Sequence, residues 1–333
     1  MSRLDDFAAP LTQVLERSAY VDASVTVTGM ASVGANRATL LVDVDHAGNV
    51  IEAVAQIGSI QGIIRARDEG ALLQLAAAAG CPVPRVLAVD DTFRSDDADV
   101  LITTRLPGLS IPRQILRSLL DDAAGDALAE QCGDALARLH TIAADAVPES
   151  VPRLDPADAH RDYVGWLTTT LDQLPTHHPA IRWGLNQLRR EPPSVPDRHT
   201  LVHADFRNGN MLVDEGRLTA MIDWELAHVG DPMEDLAWIC LRMWRFGNDD
   251  RPVGGFGSIE ALRRGYEAAG GVWRDDAFDW WLAARSAWWG IGLAQQAAAF
   301  RAGLSTSIVH AASGRRVPEL EYDLLTLIRD RET

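Results

Sequence analysis

The chain of 333 residues contains no lysine, so all 31 of its basic residues are arginine. This absence excludes chemistry that passes through a Schiff base on a lysine amine, including pyridoxal phosphate chemistry. It also excludes the phosphate-binding loop that ends in Gly-Lys-Ser or Gly-Lys-Thr. Two broad classes of enzyme are therefore removed by one missing residue type.

Positive charge is scarce as well, since 47 acidic residues give the chain a net charge of −16. Binding to nucleic acid normally needs a basic face, so we expect no nucleic-acid partner. An acidic surface most often serves solubility, although it also attracts cationic substrates.

Cysteine is rare, and Cys81, Cys132 and Cys240 show no CxxC spacing. We interpret them as reduced core thiols of a cytoplasmic protein. The first ten residues, MSRLDDFAAP, lack an apolar run, so we expect no secretory signal. Residues 278–300 are the most apolar helix candidate, but Arg285 and two glutamines interrupt them. They indicate a buried helix rather than a membrane span, and we expect no membrane partner.

The first hundred residues predict a small antiparallel sheet that carries one helix. The apolar content of 47% and the length leave room for two lobes with separate cores. A short amphipathic helix at 4–17 comes first, and a second helix spans 67–79. The strand patterns lie at 24–30, 38–45, 50–56, 86–91 and 99–105.

A Leu-Pro-Gly segment at 106–108 breaks this pattern and is typical of a hinge. Nearly everything after it predicts helix, with short strands expected only at 210–213 and 218–222. The predicted helices lie at 123–142, 158–173, 178–190, 233–246, 258–269, 275–302 and 318–330.

The most informative segment reads LVHADFRNGNMLVDEGRLTAMIDWE, from residue 201 to residue 225. It places Asp205 five residues before Asn210 and then delivers Asp223 at the end of an apolar strand. Metal-assisted phosphoryl transfer needs a carboxylate that takes a proton from the attacking hydroxyl, and oxygen ligands for Mg²⁺. The alternatives are a loop-stabilising Asp205 and an Asn210 that only shapes a turn.

The spacing His-x-Asp-x-x-x-x-Asn followed by Ile-Asp-Trp resembles the aminoglycoside phosphotransferase and choline kinase family. The run DWELAHVGDPMEDLAW (223–238) is similar to a subgroup that includes the kinase-like parts of acyl-CoA dehydrogenase fusions. The resemblance implies a bilobal, protein-kinase-like α+β fold that binds ATP or GTP with Mg²⁺. It also implies a nucleotide-binding lobe at 1–106, with a hinge near 103–108, and a helical lobe at 107–333.

The same resemblance implies roles for individual residues. Asp205 is the catalytic base, and Asn210 and Asp223 are the metal ligands. Arg207 either contacts the transferred phosphoryl group or faces solvent, and His203 holds the loop. The residues expected at the nucleotide are Ser32, Gly34, Asn36, Gln56, Glu69, Thr103 and Arg105.

Two positions depart from the family pattern. Gln56 stands where the third strand is expected to carry a basic residue, and a neutral amide lacks its Coulomb attraction for phosphate. Arg37, Arg65 or Arg67 is then the candidate replacement, or phosphate binding is weak. Ala204 replaces the usual glycine, and we expect no positive φ at this position.

The expected activity is transfer of a phosphoryl group to the hydroxyl of a small molecule. Seven tryptophans in the C-terminal third are expected to form mostly core, with the remainder lining a pocket for an apolar or acyl-bearing acceptor. Aminoglycosides and other small alcohols stay open as acceptors. Because of Gln56, a non-catalytic degenerate kinase is the alternative. A metal-dependent hydrolase using His203, Asp205 and Asp223 is a third hypothesis.

Overall fold

A five-stranded antiparallel sheet forms the N-terminal part of the molecule, with strand order β1-β2-β3-β5-β4. The structure, a computed structural model, describes residues 4–33, 37–59, 63–93, 98–154 and 158–331. The strands are β1 (Ser24–Val33), β2 (Arg37–His46), β3 (Asn49–Ser59), β4 (Val86–Asp90) and β5 (Ala98–Thr104). The α+β class predicted from the sequence is confirmed.

The two faces of this sheet have different partners because side chains alternate along each strand. Leu40 and Val42 of β2 are buried against α1 (Ala8–Glu16), which follows a 3-10 turn at Leu4–Phe7. The opposite face carries Thr39 and Leu41 and is turned toward a large cavity. Helix α2 (Ala66–Ala78) lies on this second side, with its buried residues in the core of the rest of the molecule.

The remaining chain is mainly helical, and its core contains most of the tryptophans. None of the helices in the described residues has the length and apolar character needed to cross a bilayer. The helices are α3 (Pro112–Ser118), α4 (Asp122–Leu139), α5 (Ala159–Asp172), α6 (Pro179–Arg190), α7 (Met233–Trp238), α8 (Ile259–Ala268), α9 (Asp275–Arg301), α10 (Ile308–Ser313) and α11 (Val317–Arg331), with 3-10 turns at Ala144–Ala146 and Arg242–Trp244.

Two short hairpin-like pairs interrupt these helices where the sequence predicted only one. Strands β7 (Met211–Asp214) and β8 (Arg217–Met221) form the predicted pair. The expectation of no further strand was wrong, because β6 (Thr200–Val202) pairs with β9 (His228–Gly230). Each of these strands has three residues, which is too short for a period of two to be visible. The division of the chain near residue 106 stays a prediction.

Candidate active site

A cavity of about 930 Å³ lies between the five-stranded sheet and the loops of the helical part. Strands β2 and β3, helix α2, the segment after β5 and the hairpin β7–β8 all contribute to its wall. The charged and polar residues that line it include Arg37, Thr39, Glu52, Gln56, Glu69, Thr103, Arg105, Asn210, Asp223 and Glu225. Asp205 and Arg207 do not line this cavity, but they adjoin it through Asn210.

Three side chains hold the carboxylate of Asp205 in place. The indole Nε1–H of Trp238 donates to Oδ1 at 2.8 Å, and the Nε–H of Arg207 donates to the same oxygen at 3.2 Å. The Nδ2 amide of Asn210 donates to Oδ2 at 2.5 Å. These three contacts fix the orientation of the Asp205 carboxylate, which suits a proton acceptor.

Asn210 and Asp223 are brought together by the hairpin β7–β8. The backbone N–H of Ile222 donates to the carbonyl of Asn210 at 3.0 Å, so Asp223 follows directly beside it. Since the NH₂ group of Asn210 is engaged by Asp205, its Oδ1 is the atom left for a cation. An amide oxygen and a carboxylate, completed by phosphate oxygens and water, fit the oxygen ligands that Mg²⁺ prefers.

The basic groups around Asp223 do not fully offset the unfavourable burial of its negative charge. Burial raises its pKa to about 6, and repulsion from Glu225 and Asp205 acts in the same direction, against the attraction of Arg207 and Arg37. A bound divalent cation reverses this effect because it favours the ionised form. The electrostatics of Asp223 therefore fit a cation site.

The loop that carries Asp205 is anchored to helix α7. The carboxylate of Asp235 accepts the backbone N–H groups of His203 and Ala204, at 2.8 and 2.6 Å, and faces the Nε2 of His140 at 3.1 Å. The guanidinium of Arg285 donates to the carbonyl of Ala204. Both peptide groups of Ala204 are therefore fixed by partners from other elements.

This anchoring corrects the expectation for Ala204, whose φ is +63°. The left-handed region is unfavourable for alanine by roughly 1–2 kcal/mol. The hydrogen bonds from both sides of the residue hold the backbone there. A glycine, which the family pattern favours, would adopt this conformation without the cost.

His203 is fully engaged in positioning the loop. Its Nε2–H donates to the carbonyl of Ile222 at 3.1 Å, and its Nδ1 accepts from the backbone N–H of Asp205 at 3.3 Å. Burial lowers the pKa of His203, although Asp235 and Asp205 oppose this shift. The ring is therefore neutral, with no nitrogen left for a metal. The hydrolase hypothesis needs such a ligand, and the described residues contain no cluster of three His, Cys, Asp or Glu side chains suited to a metal ion.

Arg207 points back to the loop that carries Asp205. Its guanidinium lies over the ring of Trp244, 4.5 Å from the centroid, in addition to its contact with Asp205. Its side chain is 23% exposed. This geometry does not support a fully solvated Arg207, which was one of the two expectations for this residue.

Arg37 is the basic residue that reaches the inner wall of the cavity. Its guanidinium forms an ion pair with Glu69 of α2, and it also donates to the carbonyl of Ile64 at 3.1 Å. Arg65 bonds instead to Asp99 and to the backbone of Asp91. Arg67 pairs with Asp91 on the surface. Of the three candidate arginines, Arg37 is therefore the one that lines the cavity.

The end of β5 and the segment after it line the cavity at residues 103–108. The N–H of Thr104 donates to the carbonyl of Arg85, and the N–H of Arg105 donates to that of Glu52, each at 2.9 Å. The backbone N–H groups of Thr104 and Arg105 are therefore engaged within the protein and are not available to a bound base. Ser32 is paired with Thr39 at the end of β1, while Gly34 and Asn36 lie outside the described residues.

An aromatic cluster, formed by Trp238, Trp244, Trp288 and Trp289, lies on the other side of Asp205. Ring centroids within it are 5.1 Å apart for Trp238 and Trp244 and 5.3 Å for Trp238 and Trp288. The buried guanidinium of Arg285 lies over two of these rings, 4.3 Å from Trp238 and 4.1 Å from Trp288. Trp288 and Trp289 are half-buried, so the cluster is partly accessible.

Two contacts of the site were missed by sequence reasoning. The hydrogen bond from Trp238 to Asp205 joins residues 33 positions apart, and that from Asp235 to His203 joins residues 32 positions apart. The sequence offers one signal for both, since Asp235 and Trp238 occur one helical turn apart on α7 within the motif at 223–238.

A family model described as the phosphotransferase enzyme family matches residues 30–301 of the chain. Among curated proteins, acyl-CoA dehydrogenase family member 10 of Mus musculus is 25% identical over 225 residues, which cover 60% of this chain. The match spans only about one fifth of that relative's own length.

Solved structures with the same fold cover nearly the whole chain. A protein of Ralstonia eutropha JMP134, classed provisionally as an aminoglycoside phosphotransferase, aligns with a TM-score of 0.75 and 19% identity over 98% of both chains. The GDP complex of aminoglycoside 2′-phosphotransferase-IIIa aligns with a TM-score of 0.67 and 16% identity, covering 95% of this chain and 99% of that one. The predicted bilobal, kinase-like fold is therefore confirmed.

Proposed function

Because the chain belongs to the phosphotransferase enzyme family, we propose that it transfers the terminal phosphoryl group of ATP or GTP to a hydroxyl group of a small molecule. The observation that supports this proposal most strongly is the contact of Asp205 with Asn210, beside Asp223, at the edge of the cavity. These are the residue types that phosphoryl transfer needs, and they meet where a nucleotide and an acceptor can approach each other.

In this proposal Asp205 accepts the proton of the attacking hydroxyl through one of its carboxylate oxygens. Trp238 and Arg207 restrict its rotation, so the base is held in one orientation before the acceptor binds. The guanidinium of Arg207, which contacts the carboxylate of Asp205, would also donate to the transferred phosphoryl group. Negative charge in that group is spread over its equatorial oxygens.

Asn210 and Asp223 would hold Mg²⁺ through one amide oxygen and one carboxylate. When bound, the ion would supply positive charge that offsets the negative charge of the phosphate groups. Residues 1–106 would supply the nucleotide site, with the base beside Thr103 and Arg105, and residues 107–333 would supply the catalytic loop and the acceptor site. Ser32, Gly34 and Asn36 would bring backbone amides to the phosphates.

For the acceptor we propose a small alcohol with an apolar body, such as a hydroxyacyl compound. The aromatic cluster offers an apolar wall next to Asp205, and the guanidinium groups of Arg207 and Arg285 that lie over its rings are already paired with Asp205 and Glu234. A polycationic aminoglycoside would gain little from this apolar wall and more from a site lined by unpaired carboxylates.

Replacement of Asp205 tests the catalytic assignment. Asp205→Asn keeps the shape of the residue but removes its basicity, so we expect turnover to fall by about 10²–10⁴-fold. Nucleotide binding should change little, because Asp205 does not line the cavity. ADP or GDP release would be measured against a panel of hydroxyacyl thioesters, sugars, choline-like amines and aminoglycosides, and Mg·ATP binding by calorimetry.

Asp214→Asn is the matched control, since Asp214 is an exposed carboxylate at the end of β7. Turnover by Asp205→Asn at the wild-type rate would contradict the role of Asp205 as the base. Gln56 keeps one second candidate open, a degenerate kinase that binds nucleotide without catalysis. Binding of Mg·ATP with no turnover of any acceptor would favour that candidate, and turnover of one acceptor would remove it.

A further inference from the structure

The cavity contains more negative than positive charge, although its proposed ligand is an anion. Glu52, Glu69, Asp223 and Glu225 line it, and among the described lining residues only Arg37 and Arg105 are basic. Arg105 is exposed at the end of the cavity formed by the segment after β5. Phosphate oxygens in the interior therefore need a cation that this segment does not supply.

Arg37 reaches the interior from β2 rather than from β3. On β3, Gln56 faces the cavity and is paired with Thr39 of β2. Arg37 lies two residues before Thr39, so the two side chains extend from the same face of the sheet. The residue directly opposite Arg37 on β3 is Gly58.

Gly58 leaves the space that the side chain of Arg37 crosses. A Cβ atom at position 58 would lie 3.2 Å from Nε of Arg37, 3.4 Å from its Cγ and 2.8 Å from Oδ1 of Asp99. A larger residue there would force Arg37 away from the sheet. The glycine on β3 and the arginine on β2 are therefore coupled by packing.

Contacts with α2 and its preceding loop then fix the direction of the guanidinium. Glu69 is 2% exposed at its side chain and pairs with Arg37, whose side chain is 14% exposed. A second N–H group of Arg37 donates to the carbonyl of Ile64. Because a guanidinium carries five N–H donors, donors remain for a bidentate contact with phosphate.

We propose that Arg37, extended from β2 across Gly58, is the cation that binds the nucleotide phosphates in place of a basic residue on β3. This inference rests on the proposed function, because it assumes that the cavity takes a nucleoside triphosphate. It explains how a chain with Gln56 on β3 can present a cation to the phosphates, with the guanidinium oriented by its ion pair with Glu69.

The test compares Mg·ATP with adenosine, which lacks phosphate. In calorimetric titrations, Arg37→Gln should weaken Mg·ATP binding by about 10- to 100-fold, the effect of losing a charge-assisted hydrogen bond. Adenosine binding should stay within about twofold, because Arg37 would contact only the phosphates. Arg67→Gln is the matched control, since it removes an equal charge from an exposed ion pair outside the cavity.

A second variant guards against misfolding, because Arg37→Gln leaves Glu69 buried without its partner. Arg37→Gln combined with Glu69→Gln removes both charges, and thermal melting will show whether it is folded. Loss of Mg·ATP affinity in the folded double variant, with adenosine affinity retained, supports the inference. Wild-type affinity for Mg·ATP in that variant overturns it, while the proposed function stands. Failure of the wild type itself to bind Mg·ATP or Mg·GTP overturns both.

Discussion

Asp223 combines two features that are unfavourable in a folded protein. Its φ is +68°, and its carboxylate has a pKa of about 6 because burial and two neighbouring acids disfavour the charge. The raised pKa is what a cation site would produce in the absence of its ion, because the attraction of a cation would offset the burial of the charge. Without such a cation, the ionised carboxylate of Asp223 is a cost to stability.

Asp223→Asn should therefore stabilise the protein in the absence of metal and nucleotide. A raised pKa means that the stability is present below the ordinary value of 3.8 and is lost as the pH rises through about 6. At pH 7.5 the neutral amide should gain on the order of 1–3 kcal/mol, and asparagine tolerates a positive φ as well as aspartate does. The melting temperature, measured by differential scanning fluorimetry, should rise by several degrees.

The pH dependence of this stabilisation tests whether removal of the ionised carboxylate is its cause. The difference between Asp223→Asn and the wild type should shrink as the pH falls toward 4, and stabilisation by Mg·ATP should be lost in the variant. Asp214→Asn on the exposed end of β7 should change neither quantity. A variant less stable than the wild type at pH 7.5 would show that the ionised carboxylate is compensated within the protein.

At the scale of elements, the sequence was most informative where structure is local. The five strands of the first sheet follow from alternation and from a turn in which Ala47 and Gly48 have φ values of +53° and +77°. Asp205, Asn210 and Asp223 could be found because one loop and one hairpin connect them. Their spacing along the chain therefore nearly determines their spacing in space.

Pairings between distant elements could not be predicted in this way. The helix expected at 233–246 ends at Trp238, because the chain turns there and buries Trp244 against the same cluster. Strands β6 and β9 form by pairing with each other, and each has only three residues. Helices α3 and α10 are too short to show a helical period in the sequence. The ion pair of Arg37 with Glu69 depends on Gly58, which lies on a third element.

The contact between α4 and α8 gives a prediction at this scale. A Cβ atom on Gly133 would lie 2.2 Å from the carbonyl oxygen of Leu262 and 2.6 Å from the backbone nitrogen of Tyr266. The two helices are therefore packed backbone to backbone. Gly133→Ala should destabilise the protein by about 1–3 kcal/mol, because the helices must separate. Urea unfolding measures this free energy.

Gly165→Ala is the matched control, since Gly165 also lies inside a helix, α5, and a Cβ atom there would meet nothing within 4 Å. Removing a helix-interior glycine in open space should stabilise by about 0.5–1 kcal/mol. The two substitutions are chemically identical and should have opposite signs. Equal effects would mean that helix propensity, rather than packing, dominates at both positions.

For the whole molecule, the acidic composition extends into the core around α7. Asp231, Glu234 and Asp235 are fully buried. Each faces a basic group from another element: Arg274 and His160 for Asp231, Arg285 and His228 for Glu234, and His140 for Asp235. Ion pairs with arginine and contacts with histidine therefore connect α5, α9, β9 and the end of α4 to α7 and the turn before it.

Asp231 makes the stability of this arrangement depend on pH. Burial alone would raise its pKa, but His160 and Arg274 hold the pKa at about 2. A lowered pKa means that Asp231 contributes stability above the ordinary value of 3.8, and that this contribution is lost as the pH falls toward 2. The contribution at neutral pH is on the order of 2 kcal/mol.

Asp231→Asn should therefore be strongly destabilised at pH 7, because the half-buried Arg274 loses the fully buried carboxylate that compensates its charge. We expect a loss of about 3–5 kcal/mol, as for other broken buried pairs. The loss should become smaller between pH 4 and pH 2, where the wild type also protonates Asp231. Urea unfolding at a series of pH values measures the difference in unfolding free energy between the variant and the wild type. The titration of surface carboxylates is common to both proteins and cancels in this difference.

Asp134→Asn is the control. It breaks an exposed pair with Arg138 and should change stability by less than about 1 kcal/mol at any pH. A loss in Asp231→Asn that is equally large at pH 7 and pH 2 would mean that the charge of Asp231 is not what stabilises the region around α7.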